Sequence, residues 1–323
     1  MHMRDELLSP QVGLFFIAVS GISLVLASRK ISKEEDVSRI PLIGVLAAFV
    51  FAAQMVNFPV PGTGSSGHLV GSVLLAVLIG PARALLSIGA ILLIQCFVFS
   101  DGGILALGCN FFNMGLIGSL IGWWIYKIIS GKHPTALGRS VASGIAAWFS
   151  VVLGSSFVAV QTSLSGRADI PFLTFLGILG GIHALIGIGE GLITAGVVAY
   201  LLKNKESLFT QELKKPTKLE VGLGIATILI AGILSLFASP LADGLESSLE
   251  KIGWTEKKEK LYVTKVHKIT SNIQKKTAVF PDYENTSIAG IIGACLTFVA
   301  AAGGTMLLIR ARKRNKGNKE TTK

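Results

Sequence analysis

Residues 173–202 read LTFLGILGGIHALIGIGEGLITAGVVAYLL, thirty positions with a single charged side chain, Glu190, and a single imidazole, His183. An α-helix rises about 1.5 Å per residue, so roughly 20 apolar residues cross the hydrocarbon core of a bilayer. The stretch reads as one membrane-crossing helix. It decides the fold class because the rest of the chain repeats its pattern.

Working outward, apolar blocks recur at approximately 11–28, 41–57, 69–79, 82–99, 104–126, 141–163, 221–238 and 287–309, which makes nine segments in all. The third is short and ends at Gly80-Pro81, a helix breaker. Of 323 residues, 51% are hydrophobic and only 15% are charged, and the mean hydropathy is +0.64. A soluble domain of this length needs far more polar surface. The 37 glycines suit close helix packing in lipid. The composition predicts an all-α integral membrane protein.

The net charge of +11 does not describe a nucleic-acid binder, because the basic residues lie between apolar blocks and are not interleaved with aromatics. Their distribution instead orients the chain. With the N-terminus outside and the C-terminus cytoplasmic, 20 of the 30 Lys and Arg residues lie inside, as the positive-inside rule requires. Most of the others fall in the long 239–286 loop, where the rule is weak. That loop, rich in Lys and Glu, suits either a small solvated outer cap or a disordered stretch. The tail beginning Arg310-Ala-Arg-Lys-Arg reads as a stop-transfer signal that also attracts anionic lipid.

The chain divides into a seven-segment part (1–202), a polar linker (203–220) and two segments flanking the long loop (221–323). Cys96, Cys109 and Cys295 lie in or beside apolar blocks without CxxC spacing, as small buried thiols do. No GxxxxGK[ST], HExxH or GxSxG is present, so P-loop ATP hydrolysis, metalloprotease and esterase chemistry lack their motifs. Glu190 is the one acidic residue deep in a segment, too few for an ordinary proton-coupled carrier.

Five histidines remain. His133 and His267 fall in loops and read as solvated bystanders. His2 is different. No signal peptide precedes the first block, and a His at position 2 should leave Met1 in place. The Met1 amine, the His2 amide and His2 Nδ1 can then close adjacent five- and six-membered chelate rings. A tetragonal nitrogen set of this kind suits Ni(II) or Cu(II) rather than Zn(II). The fourth donor needs to share that side of the membrane. His68, ending the outer loop Pro59-Val-Pro61-Gly-Thr-Gly-Ser-Ser-Gly67, lies on the same face. Two histidines in outer segments also arise with no shared ligand, and residue chemistry alone leaves that open.

The stretches Met1-His2-Met3, Gly64-Ser-Ser-Gly67-His68, Gly80-Pro81-Ala82, Gly108-Cys109-Asn110-Phe-Phe-Asn113-Met114 and His183-Ala-Leu-Ile-Gly-Ile-Gly189-Glu190 occur in order. Together they resemble the CbiM/NikM family over about residues 1–202. These are substrate-specific membrane components of energy-coupling-factor ABC transporters for cobalt and nickel. The resemblance implies Met1, His2 and His68 as metal ligands; Ser66 and Asn110, inside the matching motifs, are candidates for outer supports. It also implies a transmembrane coupling subunit and an ATPase subunit as partners, no enzyme activity of the chain itself, no cofactor, and a prokaryotic plasma membrane. Phe237-Ala-Ser-Pro240-Leu-Ala242-Asp243-Gly244-Leu245-Glu246 and Phe280-Pro281-Asp282-Tyr283 resemble the PDGLE (NikN) module that accompanies nickel systems. Ala242 departs from its name-giving proline. The module favours Ni2+ over Co2+ as cargo. A secondary metal/proton transporter and an intramembrane enzyme are the rival classes.

Two patterns stay open. His183 and Glu190 share a helix face, either as a buried relay or as structural hydrogen-bonding groups. Gly44, Ala48 and Ala52 form a small-residue stripe that docks either a partner subunit or another helix of this chain.

Overall fold

The computed structural model describes residues 1–34, 37, 39–132, 135–167, 169–204 and 218–320. Its helices, in chain order, are α1 (Pro10–Ile31), α2 (Ile40–Gln54), α3 (Ser72–Ile79), α4 (Pro81–Val98), α5 (Leu107–Ser130), α6 (Ala136–Leu164) and α7 (Phe172–Asn204). They continue with α8 (Lys218–Gly232), α9 (Gly244–Lys251), α10 (Glu256–Leu261), α11 (Lys265–Thr277) and α12 (Thr286–Glu320). Phe111–Gly122, inside α5, winds as a π-helix.

Six of these helices have the length and hydropathy to cross a membrane: α1, α4, α5, α6, and the segments Phe172–Lys203 and Thr286–Arg314. Each leaves large apolar side chains exposed, such as Phe15, Leu26, Leu173, Leu192 and Val299. Water would penalise that surface and lipid does not. Of the nine expected blocks, 41–57 forms the shorter α2, and 221–238 forms α8 followed by a 3-10 turn at Leu234–Phe237. Block 69–79 yields only the eight-residue α3, because Gly71 turns the chain at φ +75° just before it and Gly80 ends it. His133 and most of the 203–220 linker (205–217) lie outside the described residues.

Helices α6 and α7 pack along much of their length, and α2 packs against α8 and α12. The stripe on α2 is thereby assigned. Gly44 faces α12 so closely that an added Cβ would stand 2.8 Å from Phe298 and 2.9 Å from Ala302. Ala48 and Ala52 are buried too. The stripe joins two parts of this chain.

The long loop is a folded cap rather than a disordered stretch. Backbone hydrogen bonds sew it to the main bundle: Ser239 N donates to Asn57 O (2.8 Å), Ser66 N to Ala242 O (2.8 Å), Phe280 N to Val98 O (3.1 Å) and Asp282 N to Phe99 O (2.9 Å). The Tyr283 ring stacks on Phe99 at 4.7 Å between centroids. A two-stranded hairpin, β1 (Phe58–Val60) with β2 (Ser65–Gly67), pairs antiparallel beneath this cap. Its turn needs glycine, since Gly62 and Gly64 sit at φ +76° and +69°.

Two loop and thiol expectations are corrected. His267 is not solvated: it is 2% exposed and stands where α11 closes over residues 5–8. Its Nδ1 accepts from Thr264 N at 3.1 Å, so its Nε2 carries the proton donated to Asp5 O (2.9 Å) and Leu8 O (3.0 Å). Cys96 and Cys109 are buried, but Cys295 is exposed on α12, because α12 presents an outer face with no protein against it.

Candidate metal centre at the N-terminus

The first eight residues run under the cap as an extended segment with one 3-10 turn (Asp5–Leu7), and groups distant in sequence hold them. Asn110, in α5, pairs with both main-chain groups of Met3: Oδ1 accepts from Met3 N at 2.7 Å and Nδ2 donates to Met3 O at 3.2 Å. Asp5 accepts from Ala106 N (3.0 Å) and Thr270 Oγ1 (2.6 Å). Burial pushes its carboxyl above the usual range. Arg167 donates to the carbonyls of Glu6 and Leu8. These contacts leave Met1 only 4% and Met3 0% exposed. Main-chain polar groups buried in this way need partners, and these supply them.

At the head of this segment, residues distant in sequence meet. The imidazoles of His2 and His68 stack with centroids 5.4 Å apart and planes 19° apart. His2 Nε2 lies 3.1 Å from Gln95 Oε1, and His2 Nδ1 lies 3.4 Å from Asp101 Oδ1. Gln95 in turn donates to Gln54 Oε1 at 2.8 Å, and Gln54 donates to Val70 O at 2.8 Å. On the other side the Met1 ammonium stands 3.4 Å from Asp243 Oδ2. Met1, His68, His183, Asp243 and Gly244 line one small cavity.

His68 is poised as a neutral donor. Its Nδ1 faces Leu69 O at 2.9 Å; a carbonyl only accepts, so Nδ1 carries the proton and Nε2 keeps its lone pair. Burial, the Met1 ammonium and His2 push the imidazole down to about 4. Burial alone would raise the Asp243 carboxyl. The Met1 ammonium and the Glu246 amide reverse this and hold it well below the usual carboxylate range.

The His68 loop is braced from α7. Glu190 is buried and accepts from Val70 N (2.6 Å) and Gly71 N (2.9 Å), bracing the turn that leads into α3. His183 Nδ1 donates to Leu179 O at 2.8 Å, one turn back. Glu190 thus holds the loop two residues beyond His68, whereas His183 bonds within its own helix.

The sequence-derived positions therefore divide. Met1, His2 and His68 come together. Asn110 braces the segment that carries them. Ser66 serves the cap instead, its Oγ donating to Leu241 O at 2.8 Å. Sequence reasoning missed Asp243, Asp101 and Gln95 as neighbours of the site. Asp243 stood in a quoted motif, but 242 positions separate it from Met1 and only folding brings them together. Among the described residues, no three His, Cys, Asp or Glu side chains form a metal-holding group. A metal held here has to draw on main-chain nitrogen as well.

Membrane-length helices and a polar, partly buried N-terminal centre define a multi-pass membrane protein. A family model described as cobalt uptake substrate-specific transmembrane region (CbiM) matches residues 2–208, and a PDGLE domain model matches residues 217–310. The chain belongs to the CbiM family, here with a PDGLE domain in the same polypeptide. It is 33% identical over 316 residues to the putative fused nickel transport protein NikMN of Archaeoglobus fulgidus, covering 97% of this chain and 99% of that one. It is 28% identical over 261 residues to the cobalt transport protein CbiM of Geobacter sulfurreducens, covering 78% and 74%. A solved structure described as a transition metal transporter superposes with a TM-score of 0.57 at 29% identity, covering 67% of this chain and all of the other. The chain is a component of nickel/cobalt transport.

Proposed function

We propose that this chain is the substrate-binding membrane subunit of an energy-coupling-factor ABC transporter that imports Ni2+. The metal is captured at the outer face by the Met1 amine, the His2 amide and Nδ1, and His68 Nε2. The N-terminus lies outside and the C-terminus in the cytoplasm of a prokaryotic plasma membrane. The carrying observation is the meeting of His2 and His68, 66 positions apart in sequence, with stacked rings beside the buried head of the chain. In the metal-free protein His2 Nδ1 faces Asp101; on capture it exchanges that contact for the metal. Gln95 Oε1, 3.1 Å from His2 Nε2, then orients the ring, as outer partners on the far nitrogen of ligating histidines do.

ATP hydrolysis falls to a partner ATPase working through a transmembrane coupling subunit. The PDGLE domain and the name of the Archaeoglobus relative support Ni2+ over Co2+ as cargo. The test is nickel and cobalt binding by full-length protein with a native, untagged N-terminus, beside His2→Ala and His68→Ala. Each substitution should cost more than the 10–100-fold typical of losing an outer partner. Wild-type affinity in both variants would move the site elsewhere.

A further inference from the structure

The outer domain does more than cover the N-terminus, because it delivers a carboxylate to it. Asp243 divides its two oxygens: Oδ1 accepts from Glu246 N at 2.8 Å and caps α9, while Oδ2 faces the Met1 ammonium at 3.4 Å. Among the described residues this is its one ion pair. Its side chain is only a quarter exposed.

Its position is fixed relative to the His68 loop. The residues just before it, Leu241 and Ala242, are hydrogen-bonded to Ser66. The residue after it, Gly244, approaches α7 so closely that a Cβ would stand 2.7 Å from Ile186 and 2.8 Å from His183. The hairpin and α7 together fix where Asp243 stands.

A divalent ion held by a neutral amine, two neutral imidazoles and one deprotonated amide keeps a net positive charge. Burying such a charge is costly unless an opposite charge accompanies it. Asp243 already faces the nitrogen that the ion would take. Asp101, the other carboxylate nearby, addresses His2 and is engaged by the Tyr283 hydroxyl at 2.7 Å.

We propose that Asp243 is a further residue of the metal site: it holds the Met1 amine in place before capture and becomes the counter-charge of the divalent ion afterwards. The ammonium proton and the His2 amide proton leave to solvent as the amine and amide lone pairs go to the metal, and the carboxylate exchanges one cation for another. This inference rests on the N-terminal capture site proposed above. It makes the outer domain a part of substrate binding, supplying a charge that the seven-helix part does not place on the amine.

The test is calorimetric titration of Ni2+ into full-length, native-N-terminus protein, comparing wild type, Asp243→Asn, Asp243→Glu, His2→Ala and His68→Ala. Asparagine retains an oxygen that caps α9 and removes only the charge. Glutamate retains the charge and is the poorer cap. Asp243→Asn should bind Ni2+ weaker by about tenfold or more, and Asp243→Glu should bind tighter than Asp243→Asn. A purely structural role predicts the opposite order. A smaller loss in Asp243→Asn, or Asp243→Glu no tighter than Asp243→Asn, overturns the proposal while the capture site stands, provided His2→Ala and His68→Ala lose nickel. Wild-type binding in both histidine variants overturns the site and this inference together.

Discussion

Asn110 clamps both polar main-chain groups of Met3, accepting its N–H at 2.7 Å and donating to its carbonyl at 3.2 Å. The pairing imitates a strand neighbour and sets where Met1 and His2 emerge. Asn110→Ala leaves the buried Met3 N–H without a partner, at about 1–3 kcal/mol, while Met3 O keeps Gly103 N at 2.9 Å. Nickel affinity should fall by about tenfold or more, although Asn110 offers the metal nothing. Calorimetry at matched folding, judged by circular dichroism, checks this; unchanged affinity would mean the segment holds its course without Asn110.

Acid should act on the site in two separable ways. His68 is pushed down to about 4 from an ordinary value of about 6.5. Between those values the unfolded chain binds a proton at His68 and the folded chain does not, so stability is lost as pH falls through that window. Metal-free His68→Gln should therefore lose less stability than wild type between about pH 6.5 and 4. Nickel affinity itself should fall with pH in wild type because the amine and amide must shed protons to bind. Melting curves and titrations across the range read both effects. A flat affinity from about pH 8 to 5 would exclude this donor set.

Gly44→Val should loosen α12 from α2. A Cβ there already meets Phe298 and Ala302 below 3 Å, and overpacking of this kind costs about 1–3 kcal/mol. The expected result is a lower melting temperature in detergent. Unchanged melting together with lost uptake would instead assign the stripe to a partner subunit.

Adding one glycine before Met1 preserves every side chain but replaces the amine with a peptide amide. A Gly-Met-His chelate can still fill a plane with four nitrogens, leaving no position for His68. The buried Met1 head and its 3.4 Å contact with Asp243 would also be displaced. Labelled-nickel uptake with the coupling subunits present should collapse, even where some metal still binds. Uptake within about twofold of native, well inside the effect of losing even an outer partner, would show that the terminal amine is not a ligand.

The membrane class was legible in residues 173–202 and their counterparts, since bilayer thickness alone sets how many apolar residues a crossing helix needs. The same reasoning overstated segment 69–79, because a run of apolar residues does not reveal that Gly71 turns the chain at φ +75°. Met1, His2 and His68 could be singled out by donor chemistry and by a shared side of the membrane. Residue chemistry alone left their meeting open and the resemblance supplied it; what holds them together, Asn110 on Met3 and Glu190 on the turn after His68, lies more than a hundred positions away and was not legible. His267 read as solvated because its burial comes entirely from α11 closing over residues 5–8. Asp243 was visible only as a motif letter; what it faces was settled by the cap's hydrogen bonds to Ser66. Local composition determines which segments leave water, whereas long-range packing decides which polar groups they bring together, and the proposed site consists of such groups.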